Sequence, residues 1–314
     1  MKKKNLMTMG AALVLGASLL AGCGSKTSTE TTAAGTVAES ESAEEETTTE
    51  AAEEAEETTV DGAADEAETA DPEGSSGKLA GANAMAEFQD FDAENTDSKV
   101  GITMHYQTLA LKDEAKEKYM ALNETLEAAA DAKATEMAKN YKSLQEEAAE
   151  MEEYAEDGIS LSIEDTLELR RGDEKVLSVL EMDSEYHGGA HGYTVYKGQS
   201  YDTQTGQELK LADLIQDKDA LMSYLAEQLI AGYPDVTFFT DNGEDADAAS
   251  LAETLKTTYE DLSNLSFVVD LEGLTFFFSE EELAPHACGM QQIGTSFNEI
   301  SDLLTEQGKA LAGE

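Results

Sequence analysis

The chain has 314 residues, of which 67 are Asp or Glu and 20 are Lys or Arg, giving a formal net charge of −47. A field of that sign repels nucleic acid and anionic lipid headgroups and attracts cationic partners. With only two cysteines, Cys23 and Cys288, a disulfide-stapled scaffold is excluded and any fold must rest on a hydrophobic core.

Lys2, Lys3 and Lys4 precede an uncharged run of small and apolar residues from Leu6 to Ala21. That run is shorter than the ~20 residues a membrane-spanning helix needs, so 1–22 is expected to be a signal peptide. Leu20-Ala21-Gly22-Cys23 places small residues at a cleavage point and resembles the lipobox of bacterial lipoproteins. The resemblance implies cleavage before Cys23 and acylation of that residue. Acyl chains hold a protein at the extracellular face of the cytoplasmic membrane because each buried CH₂ adds about 0.8 kcal/mol. With Cys23 lipidated no intrachain disulfide can form, and Cys288, followed by Gly289, reads as a small buried side chain rather than a nucleophile.

Residues 27–77 hold seventeen Asp or Glu, no Lys or Arg and no aromatic side chain. Such a segment cannot offset its ordering entropy and its charges repel, so 23–96 is expected to be an acidic disordered tether. Subtracting those seventeen acids from 67 leaves 50 acidic residues in 78–314 against 16 basic ones, a net charge of −34. The folded part is itself acidic.

The remaining ~230 residues suffice for one large domain or two small ones, and α+β subdomains are expected at 97–185, with the long helix, and at 186–314. Val100 to Leu109 alternates as a strand. Leu111 to Glu156 repeats apolar residues at intervals of three and four, from Tyr119, Leu122 and Leu126 to Met137, Tyr141, Leu144 and Ala148. This predicts one long helix or two abutting ones, closed near Asp157-Gly158. Ala128–Ala130 interrupts the stripe and argues for packing on a sheet rather than a coiled coil. Ser160 to Arg170, Lys175 to Met182 and Tyr193 to Tyr201 predict an antiparallel meander. Leu211 to Leu229 fits a helix stopped by Gly232 and Pro234, and Ser250 to Leu262 another. Phe267 to Val269 and Leu274 to Phe278 form a hairpin about Asp270 to Gly273, and Phe297 to Leu304 is expected as a final short helix. The class is α+β, with one or more antiparallel sheets packed with helices and one long N-terminal helix.

Val176-Leu177-Ser178-Val179, Tyr186-His187-Gly188-Gly189-Ala190-His191-Gly192, Tyr201 to Leu209, Gly273 to Phe278 and Leu283-Ala284-Pro285-His286-Ala287-Cys288-Gly289 occur in one order. This succession, over roughly 97–305, resembles the extracellular domain of RsiV, the sigma-V anti-sigma factor, a paired domain also attached to some peptidoglycan deacetylases. The receptor of that family binds lysozyme, and binding leads to its destruction and release of a sigma factor. The resemblance therefore implies a protein-binding surface. The sequence departs from the receptor plan: it offers no cytoplasmic sigma-binding segment or membrane-spanning helix, its central helix is long, and His286 stands where Tyr is common. Signalling in the receptor's manner is not expected.

Candidate chemistry centres on His187 and His191, with Asp183, Glu185 and His286 available to a metal. Gly188, Gly189 and Gly192 argue against the helix that would align two histidines four apart, so the block reads as a bend locked by histidine hydrogen bonds. Asp241 to Asp247 superficially matches a calcium loop, but the twelfth position is Ala252 rather than glutamate. No Gly-x-Ser-x-Gly elbow or phosphate loop occurs. Ligand contact is assigned to Pro285, whose ring stiffens its loop, and His286, with His187, Gly188, Gly189 and His191 beside them. The expectation is a lipid-anchored, non-catalytic envelope protein that binds lysozyme-like or other basic wall-active proteins, without cofactor or metal and without nucleic acid. A peptidoglycan-binding module and a metal-dependent envelope hydrolase are the alternatives.

Overall fold

The computed structural model describes residues 85–155, 158–240 and 246–312. The expected signal peptide, Cys23, most of the tether and Asp241 to Asp245 lie outside the described residues. The architecture is α+β, as the periodicity indicates. A five-stranded sheet holds, in order, β1 (Ala86–Asn95), β2 (Val100–Leu111), β3 (Ile159–Gly172), β4 (Val176–Tyr186) and β5 (Tyr193–Asp202). The last three form the expected antiparallel meander. β2 and β3 run parallel, which requires a crossover, and α1 (Asp113–Lys118) and α2 (Met120–Met151) supply it. Tyr119, at φ −122° and ψ 57°, breaks the helix into those abutting pieces. The long helix therefore follows two strands instead of opening the fold.

Two boundaries differ from expectation. β1 lies within the segment read as tether, paired along its length with β2. Its alternation is broken, because the apolar positions change parity from Ala93 and Phe91 to Phe88 and Ala86. β2 changes in step, from Met104 and Tyr106 to Leu109 and Leu111. Four acids, Glu87, Asp90, Asp92 and Glu94, further disguise it while protecting an edge strand from pairing with other chains. The expected division at 185/186 falls inside the β4–β5 hairpin, whose register runs from Val176↔Asp202 to Glu185↔Tyr193. The first sheet thus extends to Asp202.

The remainder comprises α3 (Leu211–Leu214), α4 (Lys218–Gly232), α5 (Ala248–Thr258), an antiparallel sheet of β6 (Ser266–Val269), β7 (Gly273–Phe278) and β8 (Gln291–Ser296), and α6 (Glu306–Ala310). Asp217 caps α4 by accepting from the Ala220 N–H, and an Asp247–Ser250 capping box starts α5. Phe297 to Leu304 is a series of turns rather than the expected helix. Its backbone is drawn into pairing with the α3–α4 link: Gln216 N–H donates to the Leu303 carbonyl, Thr305 N–H to the Leu214 carbonyl, and Leu304 bridges Ile215.

Both halves of α2 cover the first sheet. Leu122 and Leu126 pack with Leu109, Leu169, Leu177 and Val179, whereas Met137, Leu144 and Ala148 pack with Ile102, Tyr106, Leu161 and Ile163. On the other face, Leu180 meets Val268 and Phe277 of the second sheet, so β4 is buried on both sides. The sheets meet closely at Gly198, where an added Cβ would stand 1.8 Å from the Phe267 carbonyl oxygen. Gly198→Ala is expected to lower stability by about 3 kcal/mol, because backbone rather than a movable side chain blocks the methyl group. Gly232→Ala meets nothing within 4 Å and is expected to stay within about 0.5 kcal/mol of the parent. Urea unfolding of the two variants checks this pair, and equal midpoints would refute the close approach.

Candidate functional site

The site candidates sit on the β4–β5 loop, 187–192, and the β7–β8 connection, 279–290. Edge chemistry brings these loops together. Three outer N–H groups of β5 find acceptors in side chains from the second sheet and its loop: Thr194 on Glu280 Oε2 at 3.1 Å, Tyr196 on Ser279 Oγ at 3.1 Å and Gly198 on Ser266 Oγ at 2.9 Å. In return the Val269 N–H donates to the Ser178 and Ser200 hydroxyls, at 3.2 and 3.0 Å. An uncapped strand edge is thereby sealed.

Each loop is locally fixed. Gly188 adopts φ +81°, and a Cβ there would crowd the Met151 methyl at 3.1 Å. Tyr186 Oη donates to the Gly189 carbonyl, and His191 Nδ1 donates to the Gly192 carbonyl at 3.0 Å. His187 ties the loop to α2, with Nδ1 2.7 Å from Glu147 and Nε2 3.2 Å from Glu185; chiefly the Glu147 hydrogen bond raises its pKa. On the other loop Leu283 and Ala284 are buried, Pro285 and Ala287 are exposed, and Cys288 is half-buried with a free thiol. The His286 ring stacks on His191, with centroids 3.7 Å apart and planes 20° from parallel. His191, His286 and Pro285 thus share one locus, whereas His187 is committed to the two carboxylates.

No family model matches the sequence, and no curated protein matches it. Among solved structures, a member of the DUF3298 family from Bacteroides fragilis is similar at TM-score 0.49 and 18% identity, covering 70% of this chain and 94% of its own. A DUF3298 family protein from Pseudomonas aeruginosa is similar at TM-score 0.46 and 15% identity, covering 74% of this chain and 100% of its own.

Two further features escaped the sequence reading. On the solvent face of β1–β3, Asp90, Asp92, Glu94 and Glu164 surround His105, whose Nδ1 lies 2.9 Å from Asp92. A shallow groove of about 780 Å³ runs there, lined by Asp92, Glu94, His105 and Glu164 among others. Beneath α2, Lys133 pairs with Glu181 at 2.7 Å and with the fully buried Asp165. Lys197 extends the network to Asp183 at 3.0 Å. Lys133 falls just after the interrupted stretch of the α2 stripe, which was the available signal.

Burial, followed by the adjacent Glu181 charge, raises the Asp165 pKa to about 7, and Lys133 opposes that rise. Glu181 is lowered; burial opposes this, but hydrogen bonding to Lys133 prevails. The folded chain therefore holds the Asp165 proton up to about pH 7, whereas an unfolded aspartate releases it near 3.8. Unfolding releases a proton between those values, so the stability this group supplies at low pH is lost as pH rises toward 7. Asp165→Asn, a mimic of the neutral acid, is expected to gain on the parent in unfolding free energy, measured by urea titration, between pH 5 and pH 8, by roughly 1 kcal/mol or more. His187 titrates in both chains and cancels. A constant difference across that range would refute the assignment.

Proposed function

We propose that the chain is a lipid-anchored binding protein of the bacterial envelope that captures a cationic, wall-active protein of the lysozyme class and catalyses no reaction. Its lipid sits on Cys23, at the extracellular face of the cytoplasmic membrane. The observation that carries this reading is the concentration of carboxylates on the open face of β1–β3, in a stretch, residues 78–314, whose net charge is −34. Asp90 and Asp92 expose 59% and 80% of their side chains, so their field reaches solvent and steers a basic partner before contact. The resemblance to the RsiV extracellular domain supports lysozyme as the first ligand to try.

The test uses the chain from residue 24 onward, without signal or lipid, titrated with a basic lysozyme. Saturable association that weakens as salt rises is expected. The triple variant Asp90→Asn, Asp92→Asn, Glu94→Asn should slow association by about tenfold, with a smaller change in the dissociation rate. No association at physiological salt removes the lysozyme reading, and unaltered kinetics in the variant remove the sheet face as its docking surface.

A further inference from the structure

We propose that His191, His286 and Glu281 form a zinc site that ties the β4–β5 loop to the β7–β8 connection, contrary to the expectation of no metal. Their ligating atoms all lie within 4.8 Å of one another, although the three residues come from two loops nearly a hundred positions apart. Two ligands at 2.0–2.1 Å from a tetrahedral ion stand about 3.4 Å apart, so small side-chain rotations suffice to close the set. The stacked imidazoles must splay to converge their lone pairs, and the loop locations of both rings leave room for that.

The hydrogen bonding is already that of a ligand set. A carbonyl oxygen only accepts, so the His191 bond to Gly192 places its proton on Nδ1 and leaves the Nε2 lone pair free. Zinc-bound histidines are oriented by this kind of outer bond to a backbone carbonyl. His286 Nδ1 is buried and has no hydrogen-bond partner, and the nearest carboxylate oxygen, on Glu280, is 3.7 Å away. That Glu280 oxygen is occupied by the Thr194 N–H. An orphaned buried nitrogen costs free energy unless something fills it.

Three consecutive glutamates divide the work. Glu280 accepts from Thr194, and Glu282 accepts from the Ser279 N–H at 2.6 Å and the Tyr259 hydroxyl at 2.5 Å. Glu281 between them has no hydrogen bond or ion pair among the described residues, and it is the one non-glycine there with positive φ, at +62°. That backbone conformation carries strain, and its carboxylate is the one that joins the two histidines. Two imidazoles and a carboxylate suit zinc, with a water in the fourth position, and are poor ligands for magnesium or calcium, which prefer all-oxygen shells.

A second cluster among the described residues, Asp165, Glu181 and Asp183, contrasts with it. There the cation position is taken by the chain's own Lys133 and Lys197 ammonium groups. At His191, His286 and Glu281 no lysine or arginine pairs with the set among the described residues.

The experiment is zinc titration of the full chain, stripped of metal, followed calorimetrically. The acidic N-terminal stretch supplies weak background binding, so the double variant His191→Ala, His286→Ala serves as baseline. One zinc above baseline is expected. His191→Ala and His286→Ala should each weaken it at least tenfold, Glu281→Gln should weaken it less, and His187→Ala should leave it unchanged. Identical titrations of parent and baseline overturn the proposal, as does an equal loss in His187→Ala. Should the alanine variants unfold, imidazole NMR of the parent decides the matter. The chain has four histidines, and zinc must shift His191 and His286 while leaving His105 and His187 in place; any other pattern overturns the site.

Discussion

The outer edge of β5 sets the arrangement of everything around it. A strand edge facing another layer presents N–H groups that need acceptors, and from Thr194 to Gly198 a second backbone strand does not supply them. Ser266, Ser279 and Glu280 do so, each from a different point on the second sheet or its loop. Side chains reach farther than a ladder does, so β6 crosses close above Gly198 without joining the first sheet. The Ser178–Ser200 hydroxyl pair, 2.7 Å apart and fully buried, receives the Val269 N–H and fixes the reverse direction. Arg170 and Arg171 complete the joint, gripping the Asp270 carboxylate and carbonyl at the turn between β6 and β7. Because the Glu280 bond is one of these clasps, the loops bearing His191 and His286 are neighbours as a consequence of edge sealing.

The long helix obeys a different constraint. Its apolar stripe must cover two patches of one sheet, and between them lies a row where carboxylates point up from β3 and β4. Lys133 occupies that gap, with its ammonium paired to both Asp165 and Glu181. Burial of this kind adds little net stability compared with an apolar replacement, but a slip of one turn would leave Glu181 and Asp165 buried without their ammonium partner.

Much of this was legible in the residues. The meander, the β6–β7 hairpin and the broken long helix follow from period and turn chemistry, and the glycines of 188–192 announce a bend that the φ of Gly188 requires. β1 was hidden because its apolar positions change parity halfway, a change that makes sense only opposite the matching change in β2. The turns at Phe297 to Leu304 were hidden because their apolar spacing fits a helix, while the backbone partners that prevent one, Leu214 and Gln216, are some ninety residues away. For the same reason sequence spacing weighed His187 with His191, four positions apart. The fold gives His187 to Glu147 on α2 and joins His191 to His286 instead. Local periodicity reports elements well; pairings across sheets depend on side chains that no single segment displays.

Register also relates the acidic face to the loops. Asp92 stands opposite His105, His105 opposite Glu164, Glu164 opposite Ser184 and Ser184 opposite Thr194, whose N–H holds Glu280. One row therefore crosses all five strands, and four strand spacings make it about 19 Å long. The carboxylates lie at its open end and the His191–His286 loops beside its covered end, where the second sheet begins. An interface of ordinary size buries roughly 800 Å² on each partner, a patch wide enough to span that row. A basic protein drawn to Asp92 and Glu164 would then lie within reach of Pro285 and the His191 loop. The carboxylates and the Pro285 loop thus flank one row of the sheet, although they are drawn from opposite ends of the sequence.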